Sequence, residues 1–216
     1  ILYTSDSKNP KKITIAVNAG HGTKGGEKVR TLCHPDGTRK VTGGTNAAGI
    51  TTALAVSSGM TFKDGTKEAT VTLQMGHILA KKLLNAGYDV LLIRSEEDVQ
   101  LDNVARTVLA NNKADAHIAL HWDSTEKDKG AFFMSVPNSL KKMEPVASHW
   151  EGHEKLGESL ISGLRGKGVK IFSKGRMDMD LTQTSYSTIP SVDIELGDKI
   201  SDHSEKQLNL LGDALV

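Results

Sequence analysis

Lys12-Ile13-Thr14-Ile15-Ala16-Val17 is a β-branched, apolar run that stops at Asn18-Ala19-Gly20-His21-Gly22. Such a run reads as a buried strand feeding a glycine-flanked turn. Working outward, residues 68–86 carry Val71, Met75, Ile78, Leu79 and Leu83 on one stripe at helical spacing, with Gly87 placed to end the helix. Further strands are expected at 88–94, 116–121, 131–136 and 190–196, with helices at 101–112, 148–164 and 202–215. Strands alternating with helices of this length predict one α/β/α domain built on a mostly parallel sheet covered on both faces. Residues 1–11 read as a linker or cut edge, and 12–216 as the folded domain. Residues 23–66 form a large insertion rich in Gly, Thr and Lys, with turn chemistry at Pro35-Asp36-Gly37 and Asp64-Gly65. A structureless loop that long is unusual, so short strands are expected near 38–42 and 48–55.

Composition bounds the function. The 216 residues are 38% hydrophobic and 25% charged, enough for a core in one compact domain. Lys+Arg is 27 against 26 Asp+Glu, a net charge of +1, which argues against a nucleic-acid binder. No apolar run approaches the ~20 residues of a membrane helix. The first ten residues lack a signal-peptide pattern, and a start without Met is consistent with a cut from a larger precursor. The single Cys33 excludes an intramolecular disulfide.

In parallel sheets, ligands gather at the carboxyl ends of strands. Three predicted strands end in a residue able to hold a metal or move a proton: His21, His121 and Glu195. Glu68 opens the long helix in the middle of its apolar stripe. A first-turn carboxylate favours the helix dipole and needs no other explanation by itself. Two histidines at strand ends shift that balance, because a carboxylate on a buried face must be paired or metal-bound. His21, Glu68 and His121 with one open position make a catalytic zinc set, and Glu195 is then available as general base and acid.

The same segments resemble the zinc-dependent N-acetylmuramoyl-L-alanine amidases of the Amidase_3 type. Ala19-Gly20-His21-Gly22 resembles the family's Asp-Pro-Gly-His-Gly metal histidine, and Lys67-Glu68-Ala69 the start of its metal-glutamate helix. Gly87-Tyr88-Asp89-Val90-Leu91-Leu92-Ile93-Arg94 resembles its Gly-x-x-Val-x-Leu-Thr-Arg strand. Arg106 with Ala110-Asn111 resembles its Arg-x-x-x-Ala-Asn helix. Ala114-Asp115-Ala116-His117-Ile118-Ala119-Leu120-His121-Trp122-Asp123 resembles the segment with the second metal histidine. Pro190-Ser191-Val192-Asp193-Ile194-Glu195-Leu196-Gly197 resembles the strand with the catalytic glutamate. The six pieces come in family order from Lys12 onward. Asn18-Ala19 in place of Asp-Pro, and Asp193 in place of an apolar residue, are departures.

The resemblance implies a phosphorylase/hydrolase-like fold, a Zn²⁺ cofactor and peptidoglycan as substrate. It further implies a secreted, cell-wall-associated bacterial enzyme such as an autolysin, phage lysin or sporulation hydrolase. A monomer is expected, alone or joined to a wall-binding domain. The insertion is expected to line the groove. Alternatives are a zinc carboxypeptidase or endopeptidase on stem peptides, or a non-catalytic wall-binding module. Arg176 is expected on a loop, either binding a peptide carboxylate or serving as surface charge. Arg94 and Arg106 are expected to anchor sheet and helix through hydrogen bonds, and His117 to be packed or hydrogen-bonded. His149 and His153 read as a solvated helix face, and Cys33 with His34 as exposed bystanders. Asp193 is expected about 7 Å behind Glu195, too deep to reach a water.

Overall fold

The computed structural model describes residues 1–22, 26–43 and 46–216. Its strands are β1 (Leu2–Tyr3), β2 (Thr14–Ala19), β3 (Arg30–Leu32), β4 (Thr52–Leu54), β5 (Asp89–Leu92), β6 (Ala116–Asp123), β7 (Ala131–Ser135), β8 (Ile171–Asp178) and β9 (Ser191–Asp198). Its helices are α1 (Glu68–Asn85), α2 (Asn103–Lys113), α3 (Trp150–Gly166), α4 (Thr182–Ser185) and α5 (Glu205–Ala214). Among the described residues, seven strands form the main sheet in the order β1-β5-β2-β6-β9-β7-β8. The central block β5-β2-β6-β9 is parallel, while β1 and the β7-β8 pair run opposite to their inner neighbours. The expected α/β/α domain with a mostly parallel sheet is present.

Strand alternation sorts the sheet into two faces. Ile15, Val17, Val90, Leu92, Ile118, Leu120, Val192 and Ile194 meet α1, α3 and α5 in the main core. There Val71, Met75, Leu79 and Leu83 of α1 are buried, each contributing about 1.5–3 kcal/mol of transfer free energy. The opposite face is thinner. Ala16, Leu91, Ile93 and Ala110 of α2 form a small second cluster there. Asn18, His117, His121, Ser191, Asp193 and Glu195 of the central strands alternate with those core residues and lie on this thinner face.

The structure differs from expectation at four places. Residues 1–11, expected as a linker, lay β1 against β5, with the Ile1 amino group donating to the Leu92 carbonyl at 2.8 Å. β8 was not foreseen, because Ile-Phe-Ser-Lys-Gly-Arg-Met-Asp is polar and broken by positive φ at Ser173 and Gly175. Such a strand is tolerated at a sheet edge. In the insertion, β4 falls within the expected 48–55, whereas 38–42 forms no strand and the other strand is β3, paired with β4. Residues 23–25 and 44–45 of that insertion lie outside the described residues. Finally, His153 is 3% exposed rather than solvated, and its Nδ1 accepts from the Ser191 N–H at 3.0 Å.

Behind β9, His117 sits beside Ser191 Oγ at 3.1 Å and is fully buried. Burial pushes His117 down to about 3 and His153 down to about 4. Both stay neutral in the fold while an unfolded histidine titrates near 6.5. Below pH 6.5 the unfolded chain takes protons that the native chain refuses, so stability falls until the pH reaches the depressed values. Each ring is expected to cost roughly 2 kcal/mol at pH 5 relative to pH 7. Urea unfolding at the two pH values tests this. A His117→Gln/His153→Gln variant should show a shallower loss, and an unchanged loss would refute the assignment.

Candidate active site

Three strand ends converge on the thinner face. His21 follows β2 by two residues, and His121 lies directly beside Glu195 in the β6–β9 register. Parallel neighbours point the same way, so His117 and His121 share a face with Ser191, Asp193 and Glu195. Glu68 reaches the same point from the first residue of α1.

His21 Nε2, Glu68 Oε1 and His121 Nδ1 form a triangle with sides of 3.0, 3.1 and 3.2 Å. Ligand atoms ~2.0–2.1 Å from a tetrahedral ion stand about 3.3 Å apart, so one divalent ion fits this triangle with small adjustments. Two imidazoles and a carboxylate are the right donor chemistry. The three residues also line one cavity of about 690 Å³.

The surrounding backbone explains why these side chains stay in place. His21 adopts a left-handed φ of 63°, a conformation open to few non-glycine residues. Arg106 holds that turn by donating to the carbonyls of Ala19 (2.8 Å) and His21 (2.6 Å) and to Asn18 Oδ1 (2.7 Å). Arg94 donates to Ala19, Gly20 and Ala69 carbonyls and to Thr72 Oγ1, tying the turn to the start of α1. The expected anchoring roles of both arginines are therefore seen. Asn18, standing where the resemblance has Asp, serves as an acceptor for Arg106.

Four contributors lie outside the sequence expectations. Ser57 Oγ lies 3.1 Å from His21 Nδ1, and the Met60 N–H donates to Glu68 Oε2 at 2.9 Å. Gly59 sits between them at φ 74°, where a Cβ would stand 2.4 Å from Glu68 Oε2. The Ser-Ser-Gly-Met stretch just ahead of Glu68 carries that signal. The Trp122 N–H supplies another bond to Glu68 Oε1 at 3.0 Å.

Electrostatics follow from this crowding. Burial resists charge on Glu68, but hydrogen bonds from His121 and His21 outweigh it and hold the carboxyl well below its usual range. Burial also works against charge on His121, yet Asp193, Glu68 and Glu195 around it push it up to about 10. His21 has fewer carboxylates facing it, and burial lowers it. Glu195 lines the cavity, and its Oε2 is buried with no hydrogen-bond partner among the described residues. Burial raises its pKa well above the ordinary glutamate value. Asp193 is closer to the cluster than strand spacing suggested: its Oδ2 stands 3.6 Å from His121 Nε2, because the imidazole leans back along the sheet.

The insertion forms much of the cavity wall, through Thr31, Leu32, Cys33, Lys40 and residues 53–57. His34 and Cys33 are buried, at 1% and 2% exposure, and not exposed bystanders. His34 Nε2 meets Asp180 Oδ1 at 3.0 Å, the Val41 N–H donates to Asp180 Oδ2, and Lys40 Nζ donates to the Asp180 carbonyl. This network fastens the insertion to the segment before α4. Arg176 is not brought to the cluster. It lies in β8 rather than on a loop, pairs with Glu154, and is not among the cavity-lining residues described.

Comparison with known proteins places the fold and the family. Residues 15–210 match the N-acetylmuramoyl-L-alanine amidase (Amidase_3) family model. No curated protein sequence matches. Among solved structures, the apo N-acetylmuramyl-L-alanine amidase Ami1 from Mycobacterium abscessus is 18% identical with a TM-score of 0.75, covering 94% of this chain and 95% of that one. Ami1 from Mycobacterium smegmatis is 16% identical, with a TM-score of 0.73 over 96% and 95% of the two chains. The amidase from Clostridium difficile 630 is 17% identical, with a TM-score of 0.67 over 94% and 92%. With nearly the whole sheet-and-helix framework inside the matched span, this chain belongs to the N-acetylmuramoyl-L-alanine amidase family.

Proposed function

We propose that the chain is a zinc-dependent hydrolase of the bacterial cell wall, acting outside the cytoplasm. Its target is the amide between the lactyl group of N-acetylmuramic acid and the L-alanine of the stem peptide. The observation that carries this reading is a glutamate, Glu195, whose buried Oε2 has no hydrogen-bond partner among the described residues and which shares a cavity with the His21–Glu68–His121 triangle. Zn²⁺ bound there supplies an acidified water and polarises the scissile carbonyl. Among the described residues no helix is long and apolar enough to cross a membrane.

The chain's own residues supply the rest. Glu195 accepts a proton from the attacking water, and its raised pKa lets it return that proton to the leaving alanine amine. Ser57, Met60 and Trp122 fix the orientation of His21 and Glu68, so little reorganisation is needed during the reaction. The insertion shapes the groove that receives the peptide.

The test is product analysis on purified sacculi with the zinc-loaded protein. Free amino groups on L-alanine, with glycan strands uncut, are expected. New amines on other stem residues would point to an endopeptidase, released terminal residues to a carboxypeptidase, and binding without products to a wall-binding module. Each of these would overturn the proposal.

A further inference from the structure

We infer that Asp193 is a positioning residue that orients His121 for metal binding. The inference rests on the proposed function, in which His121 is a metal ligand.

His121 offers Nδ1 to the triangle. A neutral imidazole that gives its Nδ1 lone pair to an ion carries its proton on Nε2. That proton needs an acceptor, and Asp193 Oδ2 faces Nε2 at 3.6 Å. At 3.6 Å the contact is longer than a hydrogen bond, and with Asp193 buried and His121 mostly buried the carboxylate still attracts the Nε2 proton. Asp193 is itself held: Gln183 Nε2 of α4 donates to Oδ2 at 3.1 Å, and both residues are buried. A Cβ on Gly20 would stand 2.4 Å from Nε2 and 2.3 Å from Cε1. The imidazole is therefore flanked by the Gly20 backbone, with its free nitrogen toward a fixed carboxylate. A carboxylate in that place raises ligand basicity and fixes the ring.

The experiment measures zinc affinity of the metal-stripped protein by competition with a chromogenic chelator, for wild type, Asp193→Asn and Asp193→Leu. Outer contacts to a ligating histidine are worth about 10–100-fold in affinity. Asp193→Leu is expected near the upper end. Asp193→Asn keeps an acceptor oxygen and should fall near the lower end. The d–d spectrum of the Co²⁺-loaded protein should shift in both. Thermal stability of the metal-free protein should change little with Asn, which keeps an acceptor oxygen for the buried Gln183 amide. Zinc affinity within about threefold of wild type in either folded variant would overturn the inference, since positioning is worth ~10-fold or more. If Leu does not fold, Asn decides. A wild type that binds no zinc would instead sink the proposed function, and this inference with it.

Discussion

Glu195→Gln is expected to slow hydrolysis by about 10²–10⁴-fold while the chain keeps its metal. Glutamine preserves shape and can still accept a hydrogen bond, but it cannot take a proton from water at neutral pH. Glu195 is not a corner of the donor triangle, so the ion should remain. The environment is suited to a base that must also act as an acid. Burial raises Glu195, and its Oε2 has no hydrogen-bond partner among the described residues, so the carboxylate takes a proton readily and still yields it to a more basic amine. The sign for pH follows. Lowering the pH through a raised pKa protonates the base, so wild-type kcat/KM should fall on the acid side at a higher pH than an ordinary glutamate would dictate. That limb should vanish in Glu195→Gln. Asp193→Asn at saturating zinc should be far milder, because its carboxylate faces His121 and Gln183. Zinc content and release of alanine amines from sacculi decide the matter. A near-wild-type rate, or a variant that has lost its metal, would end this assignment.

What the sequence made readable was whatever depends on local period. The run into β2, the α1 stripe and the strands carrying His121 and Glu195 show strong alternation or helical spacing and lie where expected, though both strands run two or three residues past those side chains. Glu68 stood out because a carboxylate interrupts an apolar face, and burial at 3% agrees with that logic. What stayed hidden depends on contacts across long separations. β8 is a polar edge strand stabilised by β7, and its own residues carry no strand signal. The buried state of His34 is set by Asp180, 146 residues away. His153 is buried by β9 rather than by its own helix. Asp193 was judged by distance along its strand, whereas its partner is a ring on the neighbouring strand. Position along one element is a poor guide when a long side chain crosses to the next.

Removing the first histidine should be the most damaging single change. His21→Ala deletes one corner of the triangle and leaves Glu68 with His121 and two backbone donors. Its loss of metal affinity should exceed the ~10–100-fold typical of changes one contact removed from the ion, and hydrolysis should disappear with it. The backbone supplies a second readout. At φ 63° an alanine keeps the left-handed strain of any Cβ, worth about 1–2 kcal/mol, whereas glycine does not. His21→Gly should therefore lose metal and activity as fully as His21→Ala, yet be more stable than it by about 1 kcal/mol. Metal analysis and denaturant unfolding of the two metal-free variants measure both effects. Full stoichiometric zinc in either variant would remove His21 from the ligand set. Equal stability would show that Arg106 and Arg94, gripping the carbonyls on both sides, and not the conformational preference of residue 21, hold the turn in its strained form.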